Sequence, residues 1–144
     1  MLRVVLSRPG ARVPSYATAG AAGLDLSACL GDDSAIIEPG EIVKVPIGIR
    51  IAIEDGFEGQ VRPRSGLASR HGVTLPNAPG TIDCDYRGEV FVPLINLGVS
   101  AFTVEDGMRV AQLVIAPVVQ VAVVQEAGLD ATNRGAGGFG STGL

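Results

Sequence analysis

The sequence has no tryptophan, one lysine and one histidine, and aromatic residues make up only 4% of its 144 residues. A core must therefore be built from aliphatic side chains. The hydrophobic content of 47% fits either a valine-rich β core or additional apolar surface buried between subunits. The formal net charge is −4, and ten of the eleven basic residues are arginines. A broad nucleic-acid-binding surface is therefore not expected, and a phosphate ligand must be bound by local arginines.

Cysteine is also scarce, with only Cys29 and Cys84 present. Two thiols without a signal peptide are typical of a reduced, cytoplasmic protein and not of a disulfide framework. The apolar run before Arg8 is too short for secretion, and no segment approaches the roughly 18 uninterrupted apolar residues of a membrane-spanning helix. We therefore expect a cytoplasmic protein with no membrane partner.

Short β-branched runs separated by Gly, Pro and Asp recur along the chain, whereas helical periodicity is rare. The clearest strand covers residues 47–53, where four isoleucines alternate with smaller or polar residues. One short helix is expected at 65–71, with Ser65 as its cap and Gly72 at its end. Further strands are predicted at residues 3–6, 24–28, 35–37, 41–46, 57–62, 73–75, 81–83, 90–96, 102–104, 109–117 and 118–124.

This pattern predicts an all-β fold, a distorted jelly roll or β-barrel of many short strands with at most one short helix. The length is that of a single domain. Residues 1–127 are expected to form the β-barrel core, and residues 128–144 a flexible, Gly-rich C-terminal arm, because five of the last ten residues are glycine.

Residues 75–92 combine turn-forming residues with polar groups that suit recognition of a flat polar ring. Segments 81–83 and 89–92 have strand character, and the Asp and Gly residues between them favour a turn, so a β-hairpin is predicted. Prolines and glycine interrupt the first arm and leave backbone groups free for a ligand. Asn77 and Asp83 would share this element. Asp83 is a candidate general base, or it binds only its local backbone.

A second polar segment can form an anion site. Arg64, Ser65 and Gly66 offer a guanidinium fork, a hydroxyl group and backbone amides at the start of the predicted helix. The alternative is an ordinary capped turn with a surface arginine.

Three more polar residues interrupt apolar strands. Asp25 faces away from the leucines on either side of it and can simply be solvated. Arg109 and Gln112 each need a polar partner within their strand. A structural ion pair explains Arg109 as well as a ligand contact does.

The Gly-rich segment 134–143 satisfies the dinucleotide pattern G-x-G-x-x-G, but no strand precedes it, and the lysine of a phosphate-binding P-loop is missing. What remains is a flexible arm. Phe139 can cover a base, while Arg134, Ser141 and the flexible amides bind a terminal phosphate. The alternative is a tail with no function.

These segments, in this order, resemble the five motifs of the trimeric dUTPases, and the resemblance runs from Ala19 to Gly143. The matching sequences are AGAAGLDLSA at 19–28, PRSGLA at 63–68, GTIDCDYRG at 80–88 after Asn77, GMRVAQ at 107–112 and RGAGGFGSTG at 134–143. The fourth departs from the family at Met108, where an acidic residue is usual, which leaves the role of that acid open.

The resemblance implies an all-β homotrimer that hydrolyses dUTP to dUMP and pyrophosphate by water attack on the α-phosphorus. Such an enzyme keeps uracil out of DNA and supplies dUMP for dTMP synthesis. Asp83 would be the catalytic base. Mg²⁺ would be bound mainly by the substrate phosphates, with Asp25 acting through water. The arm would close over a site on another subunit, and no nucleic acid partner is implied.

The residues implied to bind the substrate are Arg64, Ser65, Gly66, Asn77, Gly80, Thr81, Ile82, Asp83, Tyr86, Phe91, Gln112, Arg134, Phe139, Gly140 and Ser141. The Asn77 amide and backbone groups near Gly80 and Phe91 would bind uracil and reject cytosine, because a mismatched buried polar group stays unpaired. Tyr86 would lie under the sugar, and Gln112 near the α-phosphate.

Two other functions remain open. A dCTP deaminase-like enzyme of the same fold would need groups that activate water at the base, and residues 75–92 offer none beyond Asp83. A non-catalytic nucleotide-binding trimer would bind dUTP and release no pyrophosphate. Comparing dCTP with dUTP as substrate tests the deaminase-like function. A pyrophosphate-release assay tests the non-catalytic one.

Overall fold

The computed structural model describes residues 1–138, which form eleven β-strands and one α-helix. The predicted all-β architecture is confirmed, and apart from segment 118–124 the predicted strand ends shift by no more than one residue. The elements are β1 (Arg3–Leu6), β2 (Ser15–Tyr16), β3 (Leu24–Ser27), β4 (Ser34–Ile37), β5 (Ile42–Ala52), β6 (Phe57–Pro63), α1 (Ser65–His71), β7 (Val73–Thr74), β8 (Gly80–Ile82), β9 (Glu89–Asn96), β10 (Phe102–Glu105) and β11 (Arg109–Pro117).

The strands form three antiparallel sheets around one aliphatic core. One sheet has the order β2-β3-β11-β6-β8, a second has the order β1-β5-β9-β7, and β10 pairs with β4. The inner faces of all three sheets meet in a single cluster of buried residues, among them Leu26, Leu113, Ile49, Val92 and Val104. Burying one such side chain contributes about 1.5–3 kcal/mol, so aliphatic alternation alone supplies this core without tryptophan.

Strand β5 joins two segments that the sequence predicted separately, 41–46 and 47–53. Its isoleucines from 47 to 51 are buried while Arg50 between them is exposed, which confirms the predicted alternation. Gly48 has a φ of +72°, and a Cβ there would lie 2.8 Å from the Sγ of Cys29. A side chain is therefore excluded at this position, where the β5–β9 register also shifts.

Helix α1 has the predicted bounds, and Gly72 ends it in the left-handed conformation with a φ of +69°. The predicted cap is wrong: Arg64 is the N-cap residue and makes no side-chain capping hydrogen bond. Ser65 is instead the first residue of the helix, so its hydroxyl is not used as a cap. Within residues 1–138 no helix is long and apolar enough to span a membrane.

The strand predicted at residues 118–124 is absent, because this segment has no regular structure. Its valines are exposed, Val119 by 86% and Val123 by 93%. Local β propensity does not make a strand unless a sheet edge pairs with it, and this segment meets none within residues 1–138. The sequence also missed β2, since two residues are too few to show an alternation.

Asn96 is the buried polar residue of the described core, with 0% exposure. Its Nδ2 donates to the carbonyls of Ile37 and Ser100, both at 2.8 Å, and its Oδ1 accepts from the Gly98 amide at 2.9 Å. The side chain therefore joins the end of β9 to β4 and to the turn before β10.

We expect Asn96→Ala to lower the free energy of unfolding by about 2–4 kcal/mol, because three backbone groups lose their partners in a dry interior. Urea denaturation at a fixed protein concentration measures the change. Asn133→Ala, at an exposed position, serves as the matched control. Equal stability of the two variants would contradict this role.

Candidate functional site

The polar residues of the first, second and fourth motif-like segments meet where β3, β11 and the start of α1 adjoin. Asp25 on β3 lies directly across from Gln112 on β11, and β11 in turn pairs with β6, which leads into Arg64. Gln112 donates from Nε2 to the Pro63 carbonyl at 3.0 Å. Strand pairing therefore places residues 25, 64 and 112 at one end of this sheet.

Asp25 is the centre of a charge cluster. Its Oδ2 accepts from Nη1 of Arg109 at 2.9 Å, and its Oδ1 lies 3.5 Å from Nε of Arg64. Arg64 also donates from Nη1 to the Arg109 carbonyl at 3.2 Å. The Asp25 side chain is only 17% exposed, so it is not simply solvated, and Arg109 makes the structural ion pair that the sequence left open. The Arg109 side chain stays 52% exposed and accessible to a ligand.

These residues line a groove of about 600 Å³, here called the arginine groove. Ser65 and Gly66 also line it, as the sequence analysis grouped them. Arg70 and His71 contribute two further basic groups from the last turn of α1. Since three arginines face one carboxylate, the lining carries excess positive charge and suits a polyanion such as a triphosphate.

Gly23 sets the position of Gln112. A Cβ at residue 23 would lie 2.5 Å from Oε1 of Gln112, so a side chain there would displace the Gln112 amide. Gly23, two residues before Asp25, therefore leaves room for the Gln112 amide at the edge of the arginine groove.

The turn before β11 is held by Asp106 and Arg12. The Asp106 carboxylate accepts hydrogen bonds from the amides of Leu30 and Gly31, which lower the pKa of Asp106. Arg12 donates to the Gly107 carbonyl at 3.1 Å. The next residue, Met108, packs its side chain against the core, and its carbonyl accepts from the Ala28 amide at 2.8 Å. A hydrophobic residue thus has a packing role where an acid is usual.

The predicted hairpin of residues 75–92 is wrong. Strand β8 pairs with β6 in the five-stranded sheet, whereas β9 lies between β5 and β7 in the four-stranded sheet. The partner of β8 is therefore β6 and not β9. The loop between them crosses from one sheet to the other and is stabilised by its own contacts, including Arg87 donating to the carbonyls of Cys84 and Tyr86.

The crossing loop and the two strands nevertheless enclose a cavity of about 240 Å³, here called the Asp83 cavity. Tyr86 closes one side and donates its hydroxyl to the Glu89 carbonyl at 3.0 Å. The predicted site residues that line it are Thr81, Ile82, Asp83, Tyr86 and Phe91.

Asp83 is exposed at the end of β8. Within residues 1–138 its carboxylate makes no hydrogen bond or ion pair, so it does not form the local backbone bonds that were the alternative to a catalytic role. The carboxylate is therefore available to a water molecule at the mouth of the cavity.

Asn77 and Gly80 lie beside the Asp83 cavity and not in its lining. A Cβ at residue 80 would lie 3.1 Å from Nδ2 of Asn77, so the two residues are neighbours. Gly80 belongs to β8, where it pairs with Val61 of β6. One edge of β8 is therefore used in a regular β-ladder. Its other edge is free in the five-stranded sheet, because β8 is the last strand.

The C-terminal arm is described only up to residue 138. Arg134 lies in a turn in which its Nε donates to the Gly137 carbonyl at 2.8 Å, and its side chain is exposed. Phe139, Gly140 and Ser141, also predicted to bind substrate, lie outside the described residues. Their roles stay predictions.

The described residues contain no cluster of three or more Asp, Glu, His or Cys side chains able to enclose a metal ion. Asp25 is a single carboxylate with both oxygens near arginines. This donor set does not suit a cation bound by protein ligands alone. It fits a hydrated Mg²⁺ carried by phosphate oxygens, with Asp25 reaching its water shell.

The arginine groove and the Asp83 cavity are separate. Arg64 lines the first, on the β3–β11 side of the five-stranded sheet, and Asp83 lines the second, at its β8 edge. One chain therefore presents an arginine-rich groove and a smaller cavity on different parts of its surface.

Several solved structures share this fold. A mutant dUTPase of Staphylococcus bacteriophage 80alpha with dUpNHpp matches with a TM-score of 0.89 at 24% identity, over 100% of this chain and 99% of that chain. A mutant dUTPase of the S. aureus phage phi11, described with a structural Mg(II) ion, matches with a TM-score of 0.81 at 21% identity, over 91% and 99%. The protein is thus an all-β jelly roll.

Sequence comparison identifies the family. The dUTPase family model matches residues 10–143. The deoxyuridine 5'-triphosphate nucleotidohydrolase of Desulfotalea psychrophila is 60% identical over 92% of this chain and 87% of that protein, and the one of Rhizobium leguminosarum bv. trifolii is 57% identical over 94% and 87%. The chain belongs to the dUTPase family, and the resemblance seen in its motifs is confirmed.

Four residues with acidic or basic side chains line the arginine groove or the Asp83 cavity but were not among the predicted site residues. Arg70 and His71 line the arginine groove, where His71 also packs against Phe102 with ring centroids 5.0 Å apart. Lys44 and Glu89 line the Asp83 cavity. Arg70 stands six residues after Arg64, a spacing that does not place two side chains on one face of a helix, and no local signal connects Lys44 with a loop about 40 residues away.

Proposed function

We propose that the protein hydrolyses dUTP to dUMP and pyrophosphate. The observation that carries this proposal is the free carboxylate of Asp83 beside a cavity of about 240 Å³, in a chain of the dUTPase family. The relatives named above carry the corresponding enzyme name. The reaction would keep uracil out of DNA and supply dUMP for dTMP synthesis.

Asp83 acts as the base in this proposal. It accepts a proton from a water molecule whose oxygen forms a bond to the α-phosphorus, while the bond from that phosphorus to the bridging oxygen breaks and pyrophosphate leaves. Asn77 and backbone groups of β8 and β9 bind the uracil edge. Tyr86 lies along the sugar, where its hydroxyl is already fixed by Glu89.

The arginine groove binds the triphosphate. Arg64, Ser65 and Gly66 contact phosphate oxygens, Gln112 lies nearest the α-phosphate, and Arg134 with Phe139, Gly140 and Ser141 covers the bound nucleotide. Mg²⁺, when bound to the phosphates, neutralises charge that develops on them. Asp25 orients the water shell of that ion and also holds Arg109 in place.

The active unit is a homotrimer whose sites are shared between subunits. Two features support this: the arginine groove and the Asp83 cavity occupy separate surfaces of one chain, and the segment after β11 exposes a row of valines that a neighbouring subunit can cover. The two cysteines are free, which fits the reducing cytoplasm as the place of action.

A pyrophosphate-release assay with the four dNTPs and dUTP, with and without Mg²⁺, tests the proposal. We expect release from dUTP to exceed release from dCTP and dTTP by orders of magnitude and to fall when Mg²⁺ is chelated. Deamination of dCTP would instead favour the related deaminase activity. Binding of dUTP without pyrophosphate release would leave only a nucleotide-binding trimer.

A further inference from the structure

The N-terminal turn that follows β1 is fixed to the body of the sheet. The Ser7 amide donates to the Gly48 carbonyl at 2.8 Å, and the Cys29 thiol donates to the Pro9 carbonyl at 3.4 Å. The Ala11 amide closes the turn by donating to the Arg8 carbonyl at 3.3 Å. The backbone of Arg8 is therefore held in one place before its side chain makes any contact.

From this turn Arg8 reaches the start of β9 and contacts two successive outward-facing residues. Its Nε donates to Oε1 of Glu89 and its Nη2 donates to Oε2 of the same carboxylate at 3.2 Å, a bidentate ion pair. Its Cζ lies 5.7 Å from the centre of the Phe91 ring, and Nζ of Lys44 lies 4.2 Å from that centre. The hydrogen bond to Glu89 also raises the pKa of Arg8.

Both residues that Arg8 contacts line the Asp83 cavity. The Glu89 side chain is 20% exposed and that of Arg8 is 41% exposed, so solvent shields this bidentate pair only in part. Its backbone carbonyl accepts the Tyr86 hydroxyl, which connects the ion pair to the loop that carries Asp83. Lys44 shares the contact with Phe91, whereas Arg8 is the ion-pair partner of Glu89 among the described residues.

We propose that Arg8 is a positioning residue for the Asp83 cavity, and that its ion pair with Glu89 sets the width of the cavity and hence the preference for uracil over thymine. Arg8 lies outside all five motif-like segments and outside the matched residues 10–143. The inference rests on the proposed function, since it concerns the base that the same cavity accepts. It adds a residue from the N-terminal turn to the determinants of specificity.

The test compares Arg8→Ala, Arg8→Lys and the control Arg3→Ala, which removes an exposed arginine that makes no ion pair within residues 1–138. We expect Arg8→Ala to lower the ratio of kcat/KM for dUTP over dTTP by about 3- to 10-fold, mainly through a lower KM for dTTP, because a wider cavity admits the thymine methyl group. The ratio is insensitive to folded fraction and to triphosphate binding, which both substrates share. Arg8→Lys should lie between wild type and Arg8→Ala, because an ammonium group cannot form the bidentate pair.

A double-mutant cycle with Glu89→Gln gives a second measurement. If the ion pair carries the effect, Glu89→Gln in the Arg8→Ala background changes the ratio by far less than it does in the wild type. An unchanged ratio in Arg8→Ala, with dUTP still hydrolysed, would overturn the inference and leave the proposed function standing. If the wild type releases no pyrophosphate, calorimetry can measure the Kd values of dUpNHpp and its thymine counterpart for the same variants. The ratio of these Kd values then tests the role of Arg8 independently of the proposed function.

Discussion

Replacing Asp83 by Asn is expected to remove most turnover of dUTP and to leave its binding nearly intact. An amide has almost the size of a carboxylate but cannot accept the proton from the attacking water, and a general base contributes about 10²- to 10⁴-fold to a rate. Because Asp83 makes no ion pair or hydrogen bond within residues 1–138, its replacement breaks no structural contact there. A drop in kcat of this size with an unchanged Kd for dUpNHpp is therefore the expected result.

The control for this variant is Asp85→Asn, two residues along the same exposed loop. It removes the same charge from the same region but not the carboxylate at the mouth of the Asp83 cavity. Single-turnover kinetics with both variants separate chemistry from product release. Full activity of Asp83→Asn, or an equal loss in both variants, would exclude Asp83 as the base.

The second large effect is expected when two inactive variants are mixed. Arg64→Ala damages the arginine groove and Asp83→Asn damages the Asp83 cavity, and each variant alone should have little activity. In a trimer whose sites combine halves from two subunits, about a quarter of the sites in a random equimolar mixture unite an intact groove with an intact cavity. The whole mixture should therefore recover about a quarter of the wild-type activity, and the isolated mixed trimers about a third.

Mixing Arg64→Ala with Arg109→Ala is the matched control, because both lesions lie in the arginine groove and no site escapes both of them. Trimers can be formed by refolding chains with different tags and isolating the mixed species. If mixed trimers of Arg64→Ala and Asp83→Asn are as inactive as the control trimers, each site belongs to one chain and the shared-site proposal is wrong.

The local structure of this chain could be predicted from its sequence. The isoleucines of 47–53 and the valines at the start of β9 predict which side of each strand is buried, because neighbouring side chains in a strand point to opposite faces. Helix α1 ends where Gly72 allows the left-handed conformation. Arg64, Ser65 and Gly66 line the same groove because they are neighbours in the sequence.

Strand pairing was not predictable in the same way. Segments 81–83 and 89–92 look like a hairpin because a short loop separates them, yet β8 joins β6 in one sheet and β9 joins β5 in another. Segment 118–124 has high β propensity but no sheet edge to pair with among the described residues. In both cases the outcome depends on competition between edges that lie far apart in the sequence.

By itself the sequence determined the ends of most strands, which faces are apolar, and the order of the motifs that identify the family, since each depends on residues close together along the chain. Tertiary structure alone decided that Asp25 binds Arg64 and Arg109, that Arg8 pairs with Glu89 about 80 residues away, and that Arg64 and Asp83 line separate cavities. These contacts form only once distant strands share a core, and neither periodicity nor spacing along the chain encodes which strands will meet.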